Sequence, residues 1–153
     1  MSNPKRVRLP AFTVAGLPLR TTNESAMVKI PKHWERFFAE GHHERIPKVS
    51  EKLLGVYTDY ESDHRGAYTL IPGFETGLTD SLPDGLVAVA IPEQEYLIFH
   101  GEGKMPGIVM ETWGRALAYF DGNKEQKRTY TTDFELYPNE NEVEIYIAVL
   151  GDE

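Results

Sequence analysis

The sequence predicts an α+β fold made of two β-α-β-β modules related by pseudo-two-fold symmetry. The expected architecture is an antiparallel sheet with helices packed on one face and a ligand pocket at the module junction. Three observations carry this: one helix signature occurs twice, an extended apolar segment precedes each copy, and a hairpin follows each copy. Residues 1–153 read as a single domain, with module one over about 5–76 and module two over about 84–150.

Module one opens with an extended apolar run from Arg6 to Leu17. Ile30, Trp34, Phe37 and Phe38 then follow the i, i+4, i+7, i+8 spacing of an amphipathic helix, with Pro31 suited to its first turn. Gly41 is placed to stop that helix. Strands over Leu54–Glu61 and Ala67–Glu75 follow, joined by the turn Ser62-Asp63-His64-Arg65-Gly66. His42 to Val49 and Thr76 to Gly85 read as exposed connections, the second closing on the turn signal Pro83-Asp84-Gly85.

Module two repeats the order. Strands over Leu86–Ile91 and Glu95–Gly101 lead into a helix marked by Val109, Trp113, Ala116, Leu117 and Phe120, ended by Gly122. Its members lie 79 positions after their partners in the first helix. The closing hairpin runs from Thr129–Tyr137 to Glu142–Leu150 through Pro138-Asn139-Glu140-Asn141.

Composition narrows the function classes. A chain of 153 residues with 41% hydrophobic content can bury a core without metals or disulfides. It has no cysteine, which removes thiol chemistry and thiolate metal sites and fits a cytoplasmic location. Twenty-four acidic against 16 basic side chains give a net charge of −8, the wrong sign for wrapping a phosphate backbone, so direct nucleic-acid binding is not expected. No apolar run is long enough for a membrane span, and no secretory leader is evident. His33, His42, His43 and Glu44 lack a convincing metal-ligand spacing, and Gly101-Glu-Gly-Lys104 lacks the first glycine and the hydroxyl of a phosphate loop. No metal and no cofactor is expected.

The last hairpin carries the most chemistry. Alternation along a strand groups Val143, Ile145, Ile147 and Val149 on one face, read as the helix-covered core, and leaves Glu144, Tyr146 and Ala148 on the other. Placing Phe134 and Leu136 in the same core sends Glu135 and Tyr137 to the face of Glu144 and Tyr146. That face is either an ordinary solvated surface or the wall of a groove. Eight tyrosines, with Tyr57, Tyr60, Tyr68, Tyr130, Tyr137 and Tyr146 in or beside the two hairpins, suit a groove that stacks a planar molecule. A carboxylate sheltered there would hold a raised pKa and favour a cationic guest. Trp113 falls on the buried helical stripe, from which its indole could reach the groove edge.

Tyr57-Thr-Asp-Tyr-Glu61, Gly66-Ala-Tyr-Thr69, Gly73, Trp113 with Tyr119-Phe120, Asp133-Phe-Glu-Leu-Tyr137 and Glu144-Ile-Tyr-Ile-Ala-Val149 resemble the GyrI-like domain, the effector-binding domain of bacterial transcription activators. The likeness spans about Arg6 to Leu150. It implies a central pocket for lipophilic, often cationic and aromatic compounds. By position it assigns the pocket acid to Glu135 and the aromatic wall to Tyr68, Trp113 and Tyr146. Tyr137 and Glu144 join on strand phase. Ala148 stands where relatives often carry proline.

Many relatives carry a DNA-binding helix-turn-helix ahead of this domain, and here the likeness starts within the first ten residues, so a stand-alone binding module is expected. Two alternatives remain: hydrolysis of electrophilic alkylating compounds with Glu135 as general base, and inhibition of a DNA enzyme through protein contact.

Overall fold

The computed structural model describes residues 4–63, 65–77 and 82–150. The elements are β1 (Lys5–Leu9), β2 (Phe12–Gly16), β3 (Leu19–Thr21), α1 (Asn23–Ala39), α2 (His42–Arg45), β4 (Leu53–Thr58), β5 (Tyr68–Glu75), β6 (Val87–Ile91), β7 (Gln94–Glu102), α3 (Gly107–Gly122), β8 (Thr132–Asn139) and β9 (Glu142–Val149). The fold is α+β. Its strands form one antiparallel sheet ordered β1-β7-β9-β8-β4-β5-β2-β6, with β3 added to β5. Module one supplies β4-β5-β2, module two supplies β8-β9-β7, and they meet where β4 pairs with β8.

The modules also exchange edge strands. β1 pairs with β7, and β6 pairs with β2. Only Pro10 and Ala11 separate β1 from β2, and only Pro92 and Glu93 separate β6 from β7, yet the members of each pair sit near opposite ends of the strand path. Both links can be that short only if the sheet curls until its ends approach. Its inner face then buries Val14, Val56, Ile91, Tyr96, Phe134 and Ala148 without help from a helix. The outer face is covered twice. α1 sets Phe37 and Trp34 against Ala15 and Phe74, and α3 sets Ala116 and Trp113 against Phe99, Ile145 and Ile147. Each large apolar side chain so buried contributes roughly 1.5–3 kcal/mol.

Several local expectations change. The run Arg6–Leu17 is two strands broken at Pro10, where a residue without an N–H ends the ladder. α1 starts at Asn23, so Pro31 lies inside it and not in its first turn. The carbonyl that Pro31 leaves unpaired belongs to Met27, which is 74% exposed and open to water. Gly41 follows α1 in the left-handed conformation with φ +75°, a stop that suits glycine. The stretch after it is the short helix α2, whose His42 is buried beside Glu40 at 3.0 Å, where an exposed connection was expected. The Leu86 N–H closes the Pro83 turn at 3.2 Å, while His64 and residues 78–81 lie outside the described residues.

The face assignment of β8 is corrected. Phe134 pairs with Tyr146, Glu135 with Ile145 and Leu136 with Glu144, and residues paired across an antiparallel ladder share a face. Val143, Ile145, Ile147 and Val149 do face α3, as expected. Phe134 and Leu136, however, join the inner face with Tyr146, and Glu135 and Tyr137 lie under the helices. The cause is that both faces are buried. Alternation separates the two sets of residues in β8 but does not say which set meets the helices.

Candidate functional site

Glu135 lies at the middle of the sheet, on β8 at the seam with β4, directly opposite Gly55. Glu135 is 1% exposed. A carboxylate taken that far out of water is unfavourable unless its oxygens are satisfied. Here aromatic donors satisfy them. The Tyr137 hydroxyl donates to Oε1 at 2.6 Å, and the Trp113 indole N–H and the Tyr57 hydroxyl donate to Oε2 at 2.7 and 2.8 Å. Among the described residues no lysine, arginine or histidine pairs with it.

The fold brings these groups together from both modules. Trp113 descends from α3, Tyr137 follows Glu135 by two on the same face of β8, and Tyr57 rises from β4 across the seam. Trp34 reaches over from α1, its ring 5.7 Å from Tyr137 and nearly perpendicular to it. The repeat sets Trp34 against Trp113, Tyr57 against Tyr137, and Gly55 against Glu135. Two indoles and two phenols therefore surround the seam, with one acid where full symmetry would give two. These rings are half-buried, keeping an edge at the surface while Trp113, Tyr57 and Tyr137 turn a donor inward.

Burial pushes the Glu135 carboxyl above its ordinary pKa, and the bonds from Tyr137, Trp113 and Tyr57 pull it partly back. Tyr57 and Tyr137 are pushed well above the ordinary phenol range, first by burial and then by the neighbouring carboxylate. The result is an acid supplied, among the described residues, with neutral donors.

The expected site residues divide. Trp113 and Tyr137 each bond the Glu135 carboxylate, one on either oxygen. Tyr68 stands one ring further out, 5.6 Å from Tyr57, with its hydroxyl bonded to Asn23 at 3.0 Å and its pKa pushed up to about 12 by burial. Tyr146 and Glu144 are not at this site, because the β8–β9 register puts them on the inner face of the sheet. There Tyr146 stacks on Phe134 at 4.4 Å and its hydroxyl donates to Glu144 at 3.2 Å. Tyr57 enters the expectation only as one of the hairpin tyrosines, and Trp34 and Gly55 carry no site expectation. Their signal was the internal repeat, which pairs each with an expected site residue.

Asp133, two residues before Glu135 and fully buried, gives an internal contrast. It binds the Arg128 guanidinium at 2.9 Å, the Tyr60 hydroxyl at 2.5 Å and the Ala148 N–H at 2.7 Å, while Arg128 lies 4.3 Å above the Tyr130 ring. Among the described residues one buried acid has a cation partner and the other has none. Two open hollows of about 300 and 490 Å³ lie away from Glu135. Both include Tyr146 and Leu9, and the first is floored by Phe12, Leu54, Phe134 and Leu136. We place the candidate site at Glu135 and not in these hollows, because among the described residues Glu135 is the buried carboxylate that lacks an opposite charge.

Comparison with known proteins agrees with this fold. The model of the integron-associated effector binding protein family, Cass2, matches residues 7–149. An integron cassette protein from the mobile metagenome of Vibrio cholerae is 34% identical, with 97% of this chain and 96% of that one covered and a TM-score of 0.81. The putative transcriptional regulator YobU of Bacillus subtilis is 29% identical over 88% of this chain and 90% of its own length. The structure of SAV2435 bound to tetraphenylphosphonium shares the GyrI-like fold at a TM-score of 0.83, with 18% identity and 98% and 95% of the two chains covered. With nearly its whole described length matched, the chain belongs to the Cass2 family of integron-associated effector-binding proteins.

Proposed function

We propose that this protein captures lipophilic, cationic aromatic molecules between α1 and α3, with Glu135 as the counter-charge and Trp113, Tyr137, Tyr57 and Tyr68 as the aromatic surround, and that it acts in drug binding, sequestration or sensing. The carrying observation is the buried Glu135, held by three neutral donors and by no basic group of the described chain. A guest cation supplies the missing charge, and ring faces add about 0.5–2 kcal/mol each where desolvated. The tetraphenylphosphonium held by SAV2435, a protein of the same fold, supports this ligand class.

Hydrolysis with Glu135 as base is less well supported. Both oxygens already accept bonds from ring donors, so the group is arranged to receive a charge more than to strip a proton from water. The test is calorimetric titration with tetraphenylphosphonium and a panel of related cations, alongside tryptophan fluorescence. Saturable binding is expected, with cations preferred over neutral analogues. No saturable heat with any cation, or equal affinity for neutral analogues, rejects the reading.

A further inference from the structure

The Glu135 site is closed. At 1% exposure its carboxylate cannot be touched by a guest unless a ring moves. Trp113, Tyr57 and Tyr137 are each tethered to the acid by a hydrogen bond of 2.6–2.8 Å. Moving any of them strands a buried donor and an acceptor together. Trp34 is different. Its indole N–H makes no hydrogen bond among the described residues, and it is held by ring contacts with Phe37, Phe38 and Tyr137 at 6.3, 6.3 and 5.7 Å. Phe38 sits on the same helix and is 41% exposed, so the stacked pair faces solvent on one side.

Gly55 completes the arrangement. A Cβ built on it would lie 2.9 Å from Glu135 Oε1 and 2.9 Å from Trp34 Cζ2, while its backbone is not in the left-handed region that favours glycine. The backbone does not require glycine there, but the close approach of acid and indole does. In the repeat this is the position where the other module carries Glu135.

We propose that Trp34 is the movable wall of the Glu135 pocket and Gly55 the positioning residue whose missing side chain lets that wall close. The proposal deepens the capture reading and rests on it for its ligand. Displacing a whole indole makes room for bulky, non-planar lipophilic cations, which a slot between fixed rings would exclude. A side chain at 55 holds the wall open. The carboxylate is fixed by three bonds and the strand by its ladder, so the indole is the part that yields.

Two experiments separate the proposal from the reading beneath it. The first needs no ligand: the protein labelled with 5-fluorotryptophan gives two fluorine resonances, assigned by Trp34→Phe and Trp113→Phe. Gly55→Ala should shift the Trp34 resonance and leave that of Trp113 in place. A shift of Trp113 with Trp34 unmoved overturns the wall. The second is stopped-flow binding of tetraphenylphosphonium followed through Trp113. In Trp34→Ala both association and dissociation should accelerate by roughly tenfold or more, with a smaller change in Kd. Unchanged rate constants overturn the proposal, and they decide it if Gly55→Ala does not fold. If the wild type does not bind the phosphonium, the capture reading fails, and the fluorine comparison still decides whether Trp34 is the part that moves.

Discussion

Replacing Glu135 by glutamine removes the negative charge while keeping the side chain's length and one accepting oxygen. In tetraphenylphosphonium four phenyl groups hold the phosphorus away from its surroundings, so the charge comes no closer than ~6 Å to the carboxylate. At an effective dielectric of about 20 the attraction is then roughly 3 kcal/mol. The guest loses hydration on entry, and the three donors on Glu135 already draw part of its charge, so we halve the figure to about 1.5 kcal/mol. Glu135→Gln should therefore weaken phosphonium binding by roughly tenfold. Neutral triphenylphosphine oxide fills similar space without the charge and should bind the variant no more weakly than the wild type. Isothermal titration of both compounds, at a pH well above the ordinary carboxylate range, measures the difference. Equal losses for the two compounds, or no loss for the phosphonium, would refute an electrostatic role for Glu135.

Other predictions follow from the same contacts. Because burial raises the Glu135 pKa and a cation prefers the ionised form, phosphonium affinity should rise with pH through that pKa, and titration in buffers of different ionisation enthalpy should show proton release. In the free protein the sign is opposite: an acid raised on folding contributes stability that is present below its unfolded pKa and lost as pH rises through its folded one, so thermal melts of Glu135→Gln should show a flatter pH profile than wild type. Tyr57→Phe and Tyr137→Phe each remove one donor and should raise the Glu135 pKa further, moving the pH midpoint of phosphonium binding upward. Arg128→Met leaves Asp133 buried without its cation and should cost about 3–5 kcal/mol in urea unfolding, with Arg128→Met/Asp133→Asn recovering part of the loss.

Much of this protein was legible in its sequence. The spacing around Trp34 and Trp113 marks two modules in the sequence itself, because an amphipathic helix must repeat its apolar positions with the helical period. The Phe-Glu-x-Tyr stretch named Glu135 and Tyr137, since two strand residues separated by one share a face whatever the strand pairs with. Other features depended on pairing between distant segments. Which face of β8 meets the helices is set by the register that places Glu135 beside Ile145 and Gly55, and the alternating pattern reads the same for either choice when the curled sheet buries both sides. That register moved Glu144 and Tyr146 away from the acid and brought Tyr57 and Trp34 to it. It also placed Arg128 against Asp133 while leaving Glu135 with neutral donors. Periodicity is local and was fixed by the order of the residues. The surroundings of a charge come from parts of the chain far apart in that order, and the tertiary structure decided them.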